Sequence, residues 1–215
     1  NLLTAKILID AISPVILTGL LLKVFTPKLQ FQLVNRLKTT VSPEVRTQLN
    51  YIDNHRTEPA TPEHPGNGFT DAEQAEKVAA FLTAIGLTYG FSKLILLVGH
   101  GSISQNNPHL AAYDCGACSG RHGGPNARLF AAMVNRPEIR RLVAEKGIAI
   151  PDDTWFIGTE HNTCNEEISF YDLEDVPEAT LPELNKLQKT LQHVQQLSAH
   201  ERCRRLASAP RNPTL

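Results

Sequence analysis

A chain of 215 residues with 41% apolar and 20% charged side chains has an ordinary globular composition, which excludes a disordered polymer. Its 21 Lys and Arg against 22 Asp and Glu leave a formal net charge of -1, so no overall field exists to gather nucleic acid. Its four cysteines, at 115, 118, 164 and 203, are unevenly spaced in a chain large enough to bury its own core; a disulfide framework is not expected and the compartment reads as reducing.

Residues 1–50 read as an apolar helical segment punctuated by Pro14, Pro27 and Pro43. The longest uncharged run, Ala11 to Leu22, falls short of the roughly 20 apolar residues a bilayer span requires. A buried helix pair broken at Pro14 is expected, with association at a membrane surface as the alternative. The chain starts at Asn1 inside this apolar stretch and shows no secretory signal, so it reads as part of something longer.

Residues 51–69 form a polar loop rich in Pro and Gly and the best internal boundary. Thr70 and Glu73 then have the spacing of a capping box, in which each side chain satisfies the other's backbone N–H. Ala75, Val78, Ala79, Leu82 and Ile85 follow at helical spacing, and Gly86 supplies the stop. Leu94–Val98 is a continuous apolar pentamer, the pattern of a central strand covered on both faces. Beyond a glycine-rich loop, Asn126–Val134 is predicted helical. A second helix follows, capped by Asn135 and Glu138, with Pro137 in its first turn and Gly147 at its end. Thr154–Thr159 is a second strand, Ile168–Tyr171 a short third one, and Leu181–Leu206 a long helix with a stripe at Leu184, Leu187, Leu191 and Val194. Arg202, Arg204, Arg205 and Arg211 are read as a solvated face of that tail. Alternating helix and strand predicts an α/β core at 70–175 and a helical tail at 176–215.

The segment GHGSISQNNPHLAAYDCGACSGRHGGPNAR carries the chemistry. In α/β sheets functional groups collect in loops leaving the carboxyl ends of strands, and both His100 and His161 hold that position. Zinc takes thiolate and imidazole ligands, so His100, between two glycines, and Cys115, at the head of a C-x-x-C, are the candidate metal ligands. Asp114 and the Asn106–Asn107 pair are placed to orient them. His109, His122, His161, Cys118 and Cys164 are read as supporting or structural residues, and Cys203 as lying outside the site. Two other readings stay open: a thiol–disulfide protein using Cys115 and Cys118, and a non-catalytic module whose tail helix recruits a partner.

These motifs, with GIAIPDDTWF and EHNT after them, resemble the DabA family, large subunits of bacterial inorganic carbon accumulation complexes; the resemblance runs from about Phe69 to Asp172. It implies a β-carbonic-anhydrase-like α/β core with flanking helices. It also implies a Zn2+ site to which His100 and Cys115 contribute, and hydration of CO2 to bicarbonate there. It further implies a membrane partner, the ion-translocating subunit DabB, and a peripheral place on the cytoplasmic side of the inner membrane. The family's other two ligands, a Cys and an Asp, belong to a Cys-x-Asp-x-Arg motif that has no counterpart in these 215 residues. The chain is therefore expected to be an incomplete portion of a larger protein carrying half the site, without independent catalysis.

Overall fold

The computed structural model describes residues 2–41, 47–56, 60–63, 65–104, 109 and 112–208. The chain divides into two compact units, 1–48 and 49–215.

The first unit is a helical hairpin, α1 (Leu2–Phe25) packed on α2 (Pro27–Val41). The expected break at Pro14 does not occur; α1 runs straight through it. Proline deprives the carbonyl one turn earlier of its N–H partner. Hydroxyls beside it supply extra bonds, Ser13 Oγ donating to the Ile9 carbonyl at 2.6 Å and Thr18 Oγ1 to the Pro14 carbonyl at 2.8 Å. The chain breaks instead before Pro27, which opens α2 at a position where no N–H is needed. Nor is α1 buried: Val15 and Phe25 are 72% and 76% exposed, and Ile9, Ile16, Leu20 and Val24 are also open. Among the described residues no helix is long and apolar enough to cross a membrane.

In the second unit the capping box forms as expected. Thr70 Oγ1 accepts the Glu73 N–H at 3.3 Å and Glu73 Oε2 accepts the Thr70 N–H at 2.9 Å, starting α3 (Asp71–Ala84). Ala75, Val78, Ala79 and Leu82 are buried, while Ile85 caps the helix end and is exposed. Gly86, at φ 74°, adopts the left-handed conformation that ends it. The remaining elements are β1 (Leu94–Gly101), α4 (Gly124–Val134), α5 (Pro137–Glu145), β2 (Trp155–Asn162), β3 (Ile168–Phe170) and α6 (Leu181–Cys203).

The sheet has the order β1-β2-β3, with β1 parallel to β2 and β3 antiparallel to β2. The apolar pentamer is thus an edge strand among the described residues, not the central one. Leu94–Leu97 are half-buried from both faces, because Ile95 and Leu97 join the cluster under α3, α4 and α5, whereas Leu94 and Leu96 join a second cluster with Ile157, Val176 and Leu184; Val98 is exposed. Hydrophobicity reports face coverage, and it does not report what lies beside a strand. In the first cluster Val78, Leu82, Val134, Ile139, Val143 and Phe156 are essentially fully buried, each burial worth roughly 1.5–3 kcal/mol.

Asn135 does not cap α5, whose N-cap is Arg136 without a side-chain cap. The Asn135 amide reaches across to the sheet instead, donating to the Phe156 carbonyl at 2.7 Å and accepting its N–H at 3.0 Å. Arg136 bonds Asp71 at 2.6 Å and Gln74 at 2.9 Å, tying the start of α3 to the α4–α5 junction. On α6, Leu184 is buried, Leu187 and Leu191 are half-buried and Val194 is exposed. Arg202, Arg204 and Arg205 are exposed, as expected of a solvated face, and the Arg202 guanidinium also pairs with Glu166 at 2.7 Å and donates to the Thr163 carbonyl at 3.0 Å. Arg211 lies outside the described residues.

Candidate functional site

Strand β1 extends through Gly99-His100-Gly101, so the motif is the strand's own end rather than the loop after it. Side chains alternate along a strand. Gly99 and Gly101 face α4 with Ile95 and Leu97, which places Val98 and His100 on the opposite face. A Cβ at Gly99 would fall inside the Gly123 carbonyl, and one at Gly101 would lie 2.7 Å from His122 Nδ1. Only glycine allows the returning loop to lie this close.

That loop closes in two places. The Gly123 N–H donates to the His100 carbonyl at 2.7 Å, and the Cys115 N–H donates to the Arg121 carbonyl at 3.0 Å. The backbone bearing Cys115 is therefore anchored two residues from the one anchored on His100. Asp114, its side chain 7% exposed, accepts the Ser102 N–H at 2.8 Å and fixes the first residue after the strand. His100 itself is exposed and pairs in register with His161 on the neighbouring strand. Asn106 and Asn107 lie outside the described residues. Among the described residues, no group of three or more His, Cys, Asp and Glu is arranged to hold a metal ion.

Cys115 and Cys118 bracket a single tight turn, with the Cys118 N–H donating to the Cys115 carbonyl at 3.0 Å. Hydrogen bonding from the Cys118 side chain first, and from the backbone of Cys118 and Ala117, lowers the Cys115 pKa from the ordinary thiol value against the opposing effect of burial. Cys118 is pushed up by the same bond, by burial and by the Cys115 charge, with the Asn126 amide donating to its sulfur at 3.2 Å. Cys164 is exposed and within 3.2 Å of the Ser102 hydroxyl, and Cys203 is exposed on the tail helix.

Two carboxylates escaped the sequence reading. Glu160 accepts from His122 Nδ1 at 2.7 Å, from the Gly124 N–H at 3.2 Å and from the Tyr171 hydroxyl at 3.4 Å; the far nitrogen of His122 lies 3.6 Å from Asp114. Burial, then the Glu160 charge, raises the Tyr171 pKa. Glu166, buried and at φ 63°, binds His161 Nε2 at 2.5 Å and Arg202 at 2.7 Å. Nearby, Arg128 grips Asp172 with two bonds of 2.7 and 2.5 Å. The available signal was an acid at an inward position of an otherwise apolar strand, Glu160, and a second just past its end. His109 is exposed, in a turn between β1 and Cys115.

An α/β unit that gathers imidazoles, thiols and buried carboxylates at the carboxyl ends of two parallel strands defines a class, the α/β proteins with polar groups collected at the strand ends. Within that class the chain belongs to the family described as "Probable inorganic carbon transporter subunit DabA", which it matches over residues 1–214. The resemblance read between Phe69 and Asp172 therefore extends to both helical flanks. A relative of that name from Nitrosococcus oceani is 57% identical over 216 residues, covering 100% of this chain and 19% of the relative. One from Methylococcus capsulatus is 53% identical over 214 residues, covering 100% of this chain and 20% of the relative. A "Probable inorganic carbon transporter subunit DabA 2" from Rhodopirellula baltica is 40% identical over 189 residues, or 87% of this chain and 17% of the relative. The chain thus spans about a fifth of the length of these relatives. No solved structure matches it.

Proposed function

We propose that this chain supplies part of a zinc centre in an inorganic carbon transporter subunit, at which CO2 is hydrated to bicarbonate. His100 and Cys115 fit zinc in donor type and fall short in number, since a tetrahedral site needs three or four protein ligands. The remaining ligands come from parts of the polypeptide that the relatives possess and these 215 residues lack. The single observation that carries the reading is the loop bearing Cys115, anchored beside His100 by the Gly123 and Cys115 N–H groups and by Asp114.

When bound, zinc lowers the pKa of a coordinated water to about 7 and so provides hydroxide near neutrality. The residues of this chain have preparatory tasks. Gly99 and Gly101 let the loop approach, and Gly123 and Asp114 lock its two ends. Glu160 holds His122 at the loop's return. The core in this reading is β-carbonic-anhydrase-like, supported by the parallel β1–β2 pair with its candidate ligands at the strand ends. The subunit works with the ion-translocating partner DabB, peripherally on the cytoplasmic side of the inner membrane. A transporter subunit has partners, and α1 offers apolar side chains on every side.

Metal analysis of the chain extended to its relatives' length, purified under reducing conditions, tests the proposal. One zinc per polypeptide is expected, reduced at least tenfold in occupancy by Cys115→Ser or His100→Ala; loss of one ligand weakens a site by at least what loss of a supporting residue costs, about 10–100-fold. A metal-free extended chain, or full occupancy in both variants, overturns it.

A further inference from the structure

We propose that the open edge of β1 is the seat of a further β-strand, supplied by the part of the polypeptide that the relatives possess beyond these 215 residues. The proposal stands on the sheet alone and does not depend on zinc.

The ladder fixes which backbone groups are open. In a parallel pair the N–H and carbonyl of one residue face one neighbouring strand, and those of the next residue face the opposite side. The register runs from Leu94↔Trp155 to Gly101↔Asn162. The Trp155 N–H donates to the Lys93 carbonyl at 2.8 Å and the Thr163 N–H to the Gly101 carbonyl at 2.9 Å. This phase turns the backbone groups of Ile95, Leu97, Gly99 and Gly101 toward β2, and those of Leu94, Leu96, Val98 and His100 away from it. The Gly123 N–H takes the His100 carbonyl at 2.7 Å, so the returning loop closes the edge at that end. Among the described residues, no backbone group bonds Leu94, Leu96 or Val98 on the open side.

Edges that face water carry charged side chains, prolines or bulges that deter pairing. Strand β1 reads LILLVGHG, with no Lys, Arg, Asp, Glu or Pro, and its register is unbroken. Apolar parallel strands of this kind lie inside sheets. Val98, last of the apolar run, is 56% exposed on the face that buries Leu94 and Leu96, so its cover too is missing on that side. Open N–H and carbonyl groups at strand spacing call for a partner with both donors and acceptors, which a lipid chain lacks and an extended backbone has. Leu94–Val98 is short beside the roughly 20–30 residues a side of a stable interface between separate chains. A strand of the same polypeptide is tethered and needs no such area. The chain covers 19% and 20% of two relatives, which leaves ample length to provide one.

Hydrogen exchange resolved to single amides, on the 215-residue chain and on the polypeptide extended to its relatives' length, tests the proposal. In the shorter chain the Leu96 and Val98 amides should exchange at least about tenfold faster than those of Leu97 and Gly99, which are bonded to β2. In the extended polypeptide, purified alone, all four should be equally slow. Leu96 and Val98 still fast there would overturn the proposal. Protection in the shorter chain that grows with its concentration would make a second copy the occupant, and overturns it as well. Val98→Pro separates pairing from mere cover, since it removes one outward N–H, a loss that an open edge tolerates and a paired one does not. The variant should lower the urea midpoint of the extended polypeptide and leave that of the shorter chain in place. Equal shifts in the two count against the strand. An extended polypeptide that never holds zinc sinks the function proposed above and leaves these readouts unaffected.

Discussion

At the scale of single residues, close approach and hydrogen-bond satisfaction decide whether the loop stays on the strand. Gly99→Ala places a methyl against the Gly123 backbone, a displacement of main chain rather than of a flexible side chain, and is expected to cost about 1–3 kcal/mol. Gly19→Ala, in a helix with nothing within 4 Å of the added carbon, is the control and is expected to stabilise α1 by about 1 kcal/mol. Urea midpoints of the two variants should move in opposite directions. The Thr70–Glu73 pair gives a pH-dependent prediction. The Thr70 N–H, chiefly, and the Arg56 guanidinium keep the Glu73 carboxylate below its ordinary pKa. A pKa lowered in the folded state stabilises above the unfolded value, near 4.5, and that contribution fades as pH falls through the folded value. Denaturation of Glu73→Gln should therefore show a flatter acid limb than the wild type below that pH. Thr70→Ala should cost about 1 kcal/mol at all pH values where α3 is folded. The capping box was legible because its partners are three residues apart, so the whole interaction is written in the local sequence. Glu160 and Glu166 were not legible for the opposite reason. Their partners, His122, Gly124, Tyr171, His161 and Arg202, come from separate segments that only the folded sheet brings together.

At the scale of elements, periodicity located α3, β1, β2 and α6 within a few residues. What periodicity could not supply was each element's neighbours. The pentamer Leu94–Val98 satisfies the pattern of a covered strand; Leu94–Leu97 pack on both faces, yet Val98 is exposed and the strand stands at the sheet edge of the described residues. Pro14 fits the pattern of a break, and the helix passes it with Ser13 and Thr18 adding hydroxyl bonds to the carbonyls of Ile9 and Pro14. Asn135 has the composition of a cap, and its amide is spent on β2. At the end of α6, Arg202 is exposed as expected and also bonds Glu166 and the Thr163 carbonyl, partners that periodicity does not report. Removing it leaves Glu166, a buried acid, with His161 alone. Arg202→Ala is expected to loosen the last turns of α6 at residues 198–203 and the turn at 163–167. Hydrogen exchange should speed at least tenfold in those two peptides and stay unchanged in α3. Equal exchange in all three would show the pair to be a surface contact of no consequence.

At the scale of the molecule, the chain is two units of different character. The hairpin at 1–48 is apolar and open; the α/β unit has its own core, formed by α3, α4, α5 and β2, and its own capping and clamping bonds. Deleting residues 1–48 should leave the stability of the remaining unit, read from its urea midpoint, within about 0.5 kcal/mol of its value in the whole chain, as expected for independent units. A larger loss would mean that the hairpin completes the fold. The α/β class and the place of His100 at the end of a strand were legible from residue types and order.

The account turns on His100 and Cys115 meeting at one zinc ion in the extended polypeptide. Zinc K-edge absorption fine structure on that protein reads the shell directly. The expected shell contains sulfur at about 2.3 Å and nitrogen at about 2.0–2.1 Å, with one sulfur lost in Cys115→Ser and one imidazole lost in His100→Ala. A zinc shell identical in the wild type and both variants would place the metal elsewhere and contradict the account.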